Sequence, residues 1–494
     1  MRALVLVCLT GAVATAAPAS PTDTLVAKLV APTPILDDLK MLTDTIGGRP
    51  TGTPAMDKAV EWSQDAFRVA GLENVRSESY VAPRNWVPRI ETTEIVSPRY
   101  DKQSAERNQL RTAAMPFSPS TPATGLEAEV FAGGADPAAI AGATKLKGKW
   151  LLVHTEPMKT IEDLFKEYLA TPPIFAAAKK AGAIGVLWMS NRPSRLLYRH
   201  NITFDASMSA LPGALVEREG ALRIERLVAG GETVKVRVTI QADVTEKPTN
   251  RNVIAEIKGR EKPDEVVIFG AHLDSWDLGR GALDNGCNAA MVIDVARQMM
   301  TLARDGQRPR RTVRFILYSG EELALYGSWL DARNHRADLD KLDGVVIFDE
   351  GTGRTTGFSL GGRTDIKDAV DRALAPAAGL GPFTQTPDAF IGTDNYDYLV
   401  EGVPTLVANQ DGAPYLADYH AESDTLDKVD VRELKVNSAI AAVLVWNIAD
   451  DARRLGARQT RKEINALVKT TGLVDQMKIF NVWDDFVAGR RGRL

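Results

Sequence analysis

The feature that most constrains this chain is an ordered alternation of short apolar runs and amphipathic segments that begins near residue 251. Runs rich in β-branched and aromatic residues occur at 252–257 (NVIAEI), 265–272 (EVVIFGAH), 313–319 (VRFILYS), 344–350 (GVVIFDE) and 405–409 (TLVAN). Segments of helical period separate or follow them at 287–304, 322–335, 365–374, 394–401 and 432–450. A strand that is apolar at nearly every position is buried on both faces, so helices must cover both sides of the sheet it joins. The pattern predicts an α/β fold with a mixed, mostly parallel central sheet flanked by helices.

In sheets of this kind, chemistry gathers just past the carboxyl ends of the strands. Those ends carry His272-Leu273-Asp274, then Gly320-Glu321-Glu322, then Asp349-Glu350, with Tyr419-His420 in the loop after the last strand. A Gly-flanked loop, Gly279 to Gly286, presents Asp284 before the next helix. The chain has only 5 histidines, so a metal site made mainly of imidazole is nearly excluded, whereas one rich in carboxylates is not. His272, Asp284, Asp349, His420 and one of the Glu321-Glu322 pair suit two divalent zinc ions, each with one imidazole nitrogen and carboxylate oxygens. Too few side chains serve two ions unless an Asp bridges them, and Asp284 sits where the backbone can bend to present both oxygens. Of the two glutamates, one would bind metal and the other would take a proton from a metal-bridging water. Asp274, two residues after His272, is placed to accept that histidine's other ring N–H. Nucleophile readings are weaker. Ser319-Gly320 lacks the G-x-S-x-G frame, and Cys287 opens a helix beside an apolar run and reads as core.

The remaining chain sorts by texture. Residues 1–17 have a minimal basic start, a short apolar run and an Ala14-Thr15-Ala16 cleavage pattern, and read as an export signal. Residues 18–121 form the N-terminal part of the main domain, with a helix over 56–71 and strands near 75–82 and 89–96. The polar stretch Pro116 to Pro122 reads as a linker. Residues 122–244 form an inserted α/β module with strands near 151, 184, 212 and 234 and a helix over 174–183. Residues 245–455 hold the site, and 456–494 form a charged, partly helical tail. The balance of 60 basic and 64 acidic residues, a net charge of −4, disfavours a nucleic-acid partner. Past the signal, no run approaches the ~18 uninterrupted apolar residues of a membrane helix, so no membrane partner is expected. The expected location is therefore the periplasm or the extracellular medium.

The ordered set His272-Leu273-Asp274-Ser275-Trp276-Asp277, Gly281-Ala282-Leu283-Asp284-Asn285-Gly286, Glu321-Glu322, Asp349, Gly392-Thr393-Asp394 and His420 resembles the aminopeptidase/glutamate carboxypeptidase family of co-catalytic zinc exopeptidases. The resemblance covers roughly residues 30–450. It extends to Gly48-Arg49-Pro50-Thr51-Gly52-Thr53 and to the inserted module, which is similar to a protease-associated (PA) domain. It implies two zinc ions per chain, one held by His272, Asp284 and Asp349, the other by Asp284, Glu322 and His420, with Glu321 as general base. It also implies a cis bond between Asp284 and Asn285, and a homodimer. The implied activity is hydrolysis of short peptides with a free amino terminus, of aminopeptidase or dipeptidase type. Asp394, Tyr396 and Tyr398 lie near the Gly-Thr-Asp segment and would line the substrate pocket, unless the two tyrosines simply pack the inner face of a helix. Two rival readings share the scaffold: a glutaminyl cyclase-like transferase with one zinc, and an inactive binding protein with none. The metal count separates all three.

Overall fold

The computed structural model describes residues 20–98 and 108–494. The expected export signal lies outside them. Two sheets dominate. The first has seven strands in the order Glu73–Val81, Thr249–Ile257, Arg311–Tyr318, Lys262–His272, Leu342–Ile347, Thr405–Gln410, Thr355–Ser359. Its central pairings are parallel and its flanking ones antiparallel. The parallel register sets His272 beside Tyr318, and Gly270 beside Ile347. The ends that carry His272, Ser319-Gly320 and Phe348-Asp349 therefore emerge side by side.

Alternation along the strands explains the two covered faces. Val267, Phe269 and Ala271 join a core with Cys287–Arg304 and Val431–Asp450, while Val266 and Ile268 pack with Ile316, Leu339 and Val345 on the other side. Cys287 is buried in the first of these cores and unpaired, as expected of a core thiol. The helix Pro54–Ala70 starts at a Thr53 cap and stops at Gly71, whose φ of 79° supplies the left-handed turn that ends it.

The second sheet has eight strands in the order Gln109–Leu110, Arg84–Ser97, Lys235–Glu246, Leu126–Ala132, Trp150–Val153, Gly185–Met189, Gly213–Val216, Thr112–Ala114. Arg84–Ser97, Gln109–Leu110 and Thr112–Ala114 thus pair within this sheet, upstream of the boundary at 122 that the prolines suggested. The Pro116–Pro122 stretch is no free linker. Met115, Phe117 and Ser118 are buried, and Trp86 donates to the Ser118 carbonyl at 3.0 Å. The helix expected at 174–183 is longer, Ile161–Lys180, with Pro172 and Pro173 inside it. A reciprocal Thr160–Asp163 capping box starts it, so both prolines lie mid-helix. The last residues are not an appendage either: Arg461–Thr470, Leu473–Ile479 and Trp483–Val487 pack on Tyr396, Leu399 and Val400.

Candidate metal centre

Two tight turns bring the strand-end residues together. Gly320, with φ 73°, ends strand Arg311–Tyr318, and a Cβ there would lie 3.0–3.1 Å from Tyr326 and the Tyr80 hydroxyl. The chain then folds back, with the Glu321 carbonyl accepting from the amides of Ala324 and Leu325 at 3.1 and 2.9 Å. Gly281, with φ 60°, admits the Asp284 loop against Ser275, where a Cβ would meet the serine at 2.3 Å. The Asp284-Asn285 peptide is cis.

The result is two triads that share one carboxylate. His272 Nε2 lies 3.1 Å from Asp284 Oδ1 and 3.0 Å from Asp349 Oδ1. His420 Nε2 lies 3.2 Å from Asp284 Oδ2 and 2.9 Å from Glu322 Oε2. Each oxygen of Asp284 therefore faces a different imidazole. His272, Asp284 and Asp349 form one group able to hold a metal ion, and Asp284, Glu322 and His420 form another.

Tautomers follow from the partners. His272 Nδ1 is 2.9 Å from the Asp274 carbonyl, and His420 Nδ1 is 3.1 Å from the Arg199 carbonyl. A carbonyl can only accept, so both Nδ1 atoms carry hydrogen and both neutral imidazoles present Nε2 lone pairs to the cluster. The expectation that the Asp274 carboxylate takes the His272 N–H needs correction. The backbone oxygen of Asp274 takes it, while the carboxylate oxygen stands 3.5 Å away. That carboxylate instead accepts from the Glu321 amide at 3.3 Å and the Thr51 hydroxyl at 2.9 Å, and so fixes the turn that carries Glu321.

The site fits divalent cations. Asp284 Oδ2, Glu322 Oε1 and Asp349 Oδ1 are buried with no hydrogen-bond donor aligned on them, which is costly unless a cation completes them. Burial pushes Glu322 up to about 7 and raises Asp349 and Glu321. Asp284 is also buried, and only protonated His272 and His420 would hold it below the usual carboxylate range; a bound cation would take over that role. Bound cations would relieve this excess of buried negative charge.

Residues 252–445, which contain His272, Asp284, Glu321, Glu322, Asp349 and His420, match the family described as Peptidase family M28. Carboxypeptidase Q of Rattus norvegicus is 28% identical over 419 residues, 83% of this chain and 84% of that one. The crystal structure of a Peptidase M28 precursor from Shewanella amazonensis matches with a TM-score of 0.79 at 28% identity, covering 89% of this chain and 98% of that one. The match to peptidase family M28 thus spans every residue of the two triads. An aminopeptidase from Aneurinibacillus sp. strain AM-1 shares the fold, with a TM-score of 0.63 at 21% identity over 89% of this chain and 98% of its own. The chain is a metallo-exopeptidase.

Several residues of this site carry no advance signal of their role. Asp424 caps the Asp284 loop: its carboxylate accepts from the amides of Ala282, Leu283 and Asp284 at 3.0, 2.6 and 3.1 Å. Burial pushes Asp424 up to about 7. Arg49 is fully buried and donates to the carbonyls of Leu273 and Gly281 at 2.8 and 2.9 Å, which ties the His272 strand end to the Asp284 loop. Asn201, from the second sheet's unit, donates to the Glu322 carbonyl at 2.8 Å.

The expected substrate contacts move. Tyr396 and Tyr398 are fully buried and do not line the cleft. Tyr398 donates to Asp331, and Tyr396 packs with the C-terminal helices, so both belong to the core of the helix they sit on. Asp394 is likewise fully buried away from the cleft wall, and burial raises its carboxyl well above the usual range. The open space beside the triads, about 1070 Å³, is walled instead by apolar and aromatic side chains such as Phe165, Tyr168 and Phe390.

Proposed function

We propose that this exopeptidase releases residues from short peptides with a free amino terminus, acting as an aminopeptidase or dipeptidase with two zinc ions. One observation carries the metal reading: the two oxygens of Asp284 face two different imidazoles, each backed by its own further carboxylate. His272, Asp284 and Asp349 would hold one ion, and Asp284, Glu322 and His420 the other. Zinc bound there supplies Lewis acidity to a peptide carbonyl and makes water easier to deprotonate. Glu321 is assigned as the proton carrier. It lines the cleft, is held by the Asp274 contact at its amide, and belongs to neither triad. It would take a proton from the attacking water and deliver it to the leaving amine. The surplus of carboxylates around the cluster favours a nearby ammonium, which supports recognition of a free amino terminus.

The second sheet's unit is assigned as a PA-like domain that roofs the cleft through its helix Ile161–Lys180 and limits entry to short peptides. Export to the periplasm or medium is inferred from residues 1–17. No helix among the described residues is long and apolar enough to cross a membrane. A homodimer is part of the same reading, and sedimentation tests it. Elemental analysis of the purified protein, paired with turnover of free and N-acetylated dipeptides, tests the whole. Two zinc ions per chain and poor hydrolysis of acetylated peptides are expected. One zinc with cyclase activity, or none with no activity, would replace this reading.

A further inference from the structure

We infer that the C-terminal segment forms the end wall of a side-chain pocket in the cleft, and that Phe480 determines its specificity for bulky apolar side chains. This inference rests on the exopeptidase reading and adds to it the side chain that the enzyme accepts.

The cleft that holds Glu321 and the metal-ligating side chains is bounded by three separate parts of the chain. Phe165, Tyr168 and Phe204 come from the second sheet's unit, Phe390 from the loop before the Gly-Thr-Asp segment, and Phe480 and Val482 from the last fifteen residues. A turn presents the last two. Asn481 has φ 58°, a left-handed conformation that asparagine tolerates, and the Val482 amide closes onto the Met477 carbonyl at 2.8 Å.

The wall is fixed to both neighbours. The Phe480 and Phe204 rings lie 4.5 Å apart, and the Asn481 amide donates to Asp205. Gln476 accepts from the Ile391 amide at 3.1 Å, next to Phe390, whose ring meets Phe165 edge-on at 5.6 Å. Phe480 thus touches the roof on one side and borders the cleft on the other.

The chemistry of the wall selects the occupant. Its one guanidinium, that of Arg491, is buried and bound through two nitrogens to Asp397 at 2.7 and 2.9 Å. Its Nε and Nη2 are already committed to Asp397, so a glutamyl or aspartyl side chain there would compete with a buried, paired carboxylate, which disfavours it. Aromatic walls on three sides suit an aromatic or branched aliphatic group.

The test compares kcat/KM for free dipeptides in two panels, X–Ala and Ala–X, with X as Ala, Leu, Phe or Glu, using the full-length zinc-loaded enzyme. In at least one panel the wild type is expected to favour Phe and Leu over Ala by tenfold or more, within the ~10–200-fold that a hydrophobic pocket gives per methylene, and to disfavour Glu. In Phe480→Ala, the ratio of kcat/KM for Phe over Ala should fall at least tenfold, mainly through KM, and Phe480→Leu should restore most of it. Val482→Trp, which fills the pocket from the same wall, should lower the ratio too, so the test survives if Phe480→Ala misfolds. Ratios unchanged in Phe480→Ala and Val482→Trp would overturn the inference, as would a wild type that prefers Glu. Hydrolysis of every peptide without preference would overturn this inference alone. Failure to hydrolyse any free dipeptide would overturn both this inference and the exopeptidase reading beneath it.

Discussion

The two triads differ in what holds them. The first is built within the sheet. His272 ends a strand and its Nδ1 hydrogen goes to a carbonyl two residues along, and Asp349 leaves the neighbouring parallel strand. The second is held from outside. The His420 Nδ1 hydrogen goes to Arg199, whose amide returns a bond to the His420 carbonyl at 3.0 Å, and Asn201 holds the Glu322 carbonyl. Arg199 is itself buried, clamped by Glu91 and Asp277. The second sheet's unit therefore also positions two of the residues that would hold the second ion. The first ion should depend on the sheet and the shared Asp284 loop, and the second also on how the covering unit is seated.

The largest effect should come from the shared residue. Asp284→Ala removes a ligand from both triads, so zinc retained after dialysis should fall towards none and activity with it. Retention of one tightly bound zinc would show that Asp284 does not bridge. Next in size is Glu321→Gln. It keeps volume but loses basicity, so kcat should drop by ~10²–10⁴-fold with both zinc ions retained. Glu322→Gln should instead release the second zinc and recover part of its activity when zinc is added. The opposite pattern would exchange the roles of the two neighbours.

The asymmetry between the triads explains what the sequence could tell. Metal ligation demands particular residue types at particular topological places, so His272, Asp284, Asp349 and His420 stand out at strand ends and loops. What supports them uses the backbone. Arg49 gives its guanidinium to carbonyls, Asp424 takes three amides, and Arg199 offers its own carbonyl to His420. Such roles leave no pattern in residue type. The pocket wall was hidden for another reason: Phe165, Phe204 and Phe480 are aromatic side chains of the kind that usually fill cores. Prolines inside a helix are costly, so the stretch before 174 carries no helical signal, although Ile161–Lys180 runs through Pro172 and Pro173; Tyr396 and Tyr398 are near the site only in sequence.

Arg199 gives the sharpest test of the comparison. Arg199→Met deletes the guanidinium that seats the His420-bearing contact while leaving every ligand in place. The Arg199 carbonyl that partners His420 stays in the chain but loses its anchor, so the effect is bounded by the ~10–100-fold typical of losing such a partner outright. The second zinc should weaken by up to that factor, and the first should be unchanged in the same competition titration with a chelator. Asn201→Ala should act in the same direction, more weakly, through Glu322. Equal weakening of both ions would mean that the two triads form one cooperative unit and that the distinction drawn between them fails.

The smallest effect serves as the control and lies outside both triads. His335 bridges Asp331 of the helix Tyr326–Asn334 and Glu78 of the edge strand, with Nε2 2.7 Å from Glu78. Hydrogen bonds to the Asp331 and Glu78 carboxylates raise its pKa to about 10. A histidine that ionises near ~6.5 in the unfolded chain but near 10 in the folded one binds more protons when folded. Its contribution is therefore complete below about pH 6.5 and is lost as pH rises through about 10. His335→Gln should lower stability at pH 6 by ~1 kcal/mol or less, as expected of a partly exposed pair. The gap to wild type should shrink steadily from pH 7 and close above pH 10, as followed by thermal unfolding across that range. Because His335 touches neither the sheet-held nor the externally held ligands, both zinc affinities should match wild type at every pH tested. A shift in either would mean that the edge strand also carries load for the metal centre.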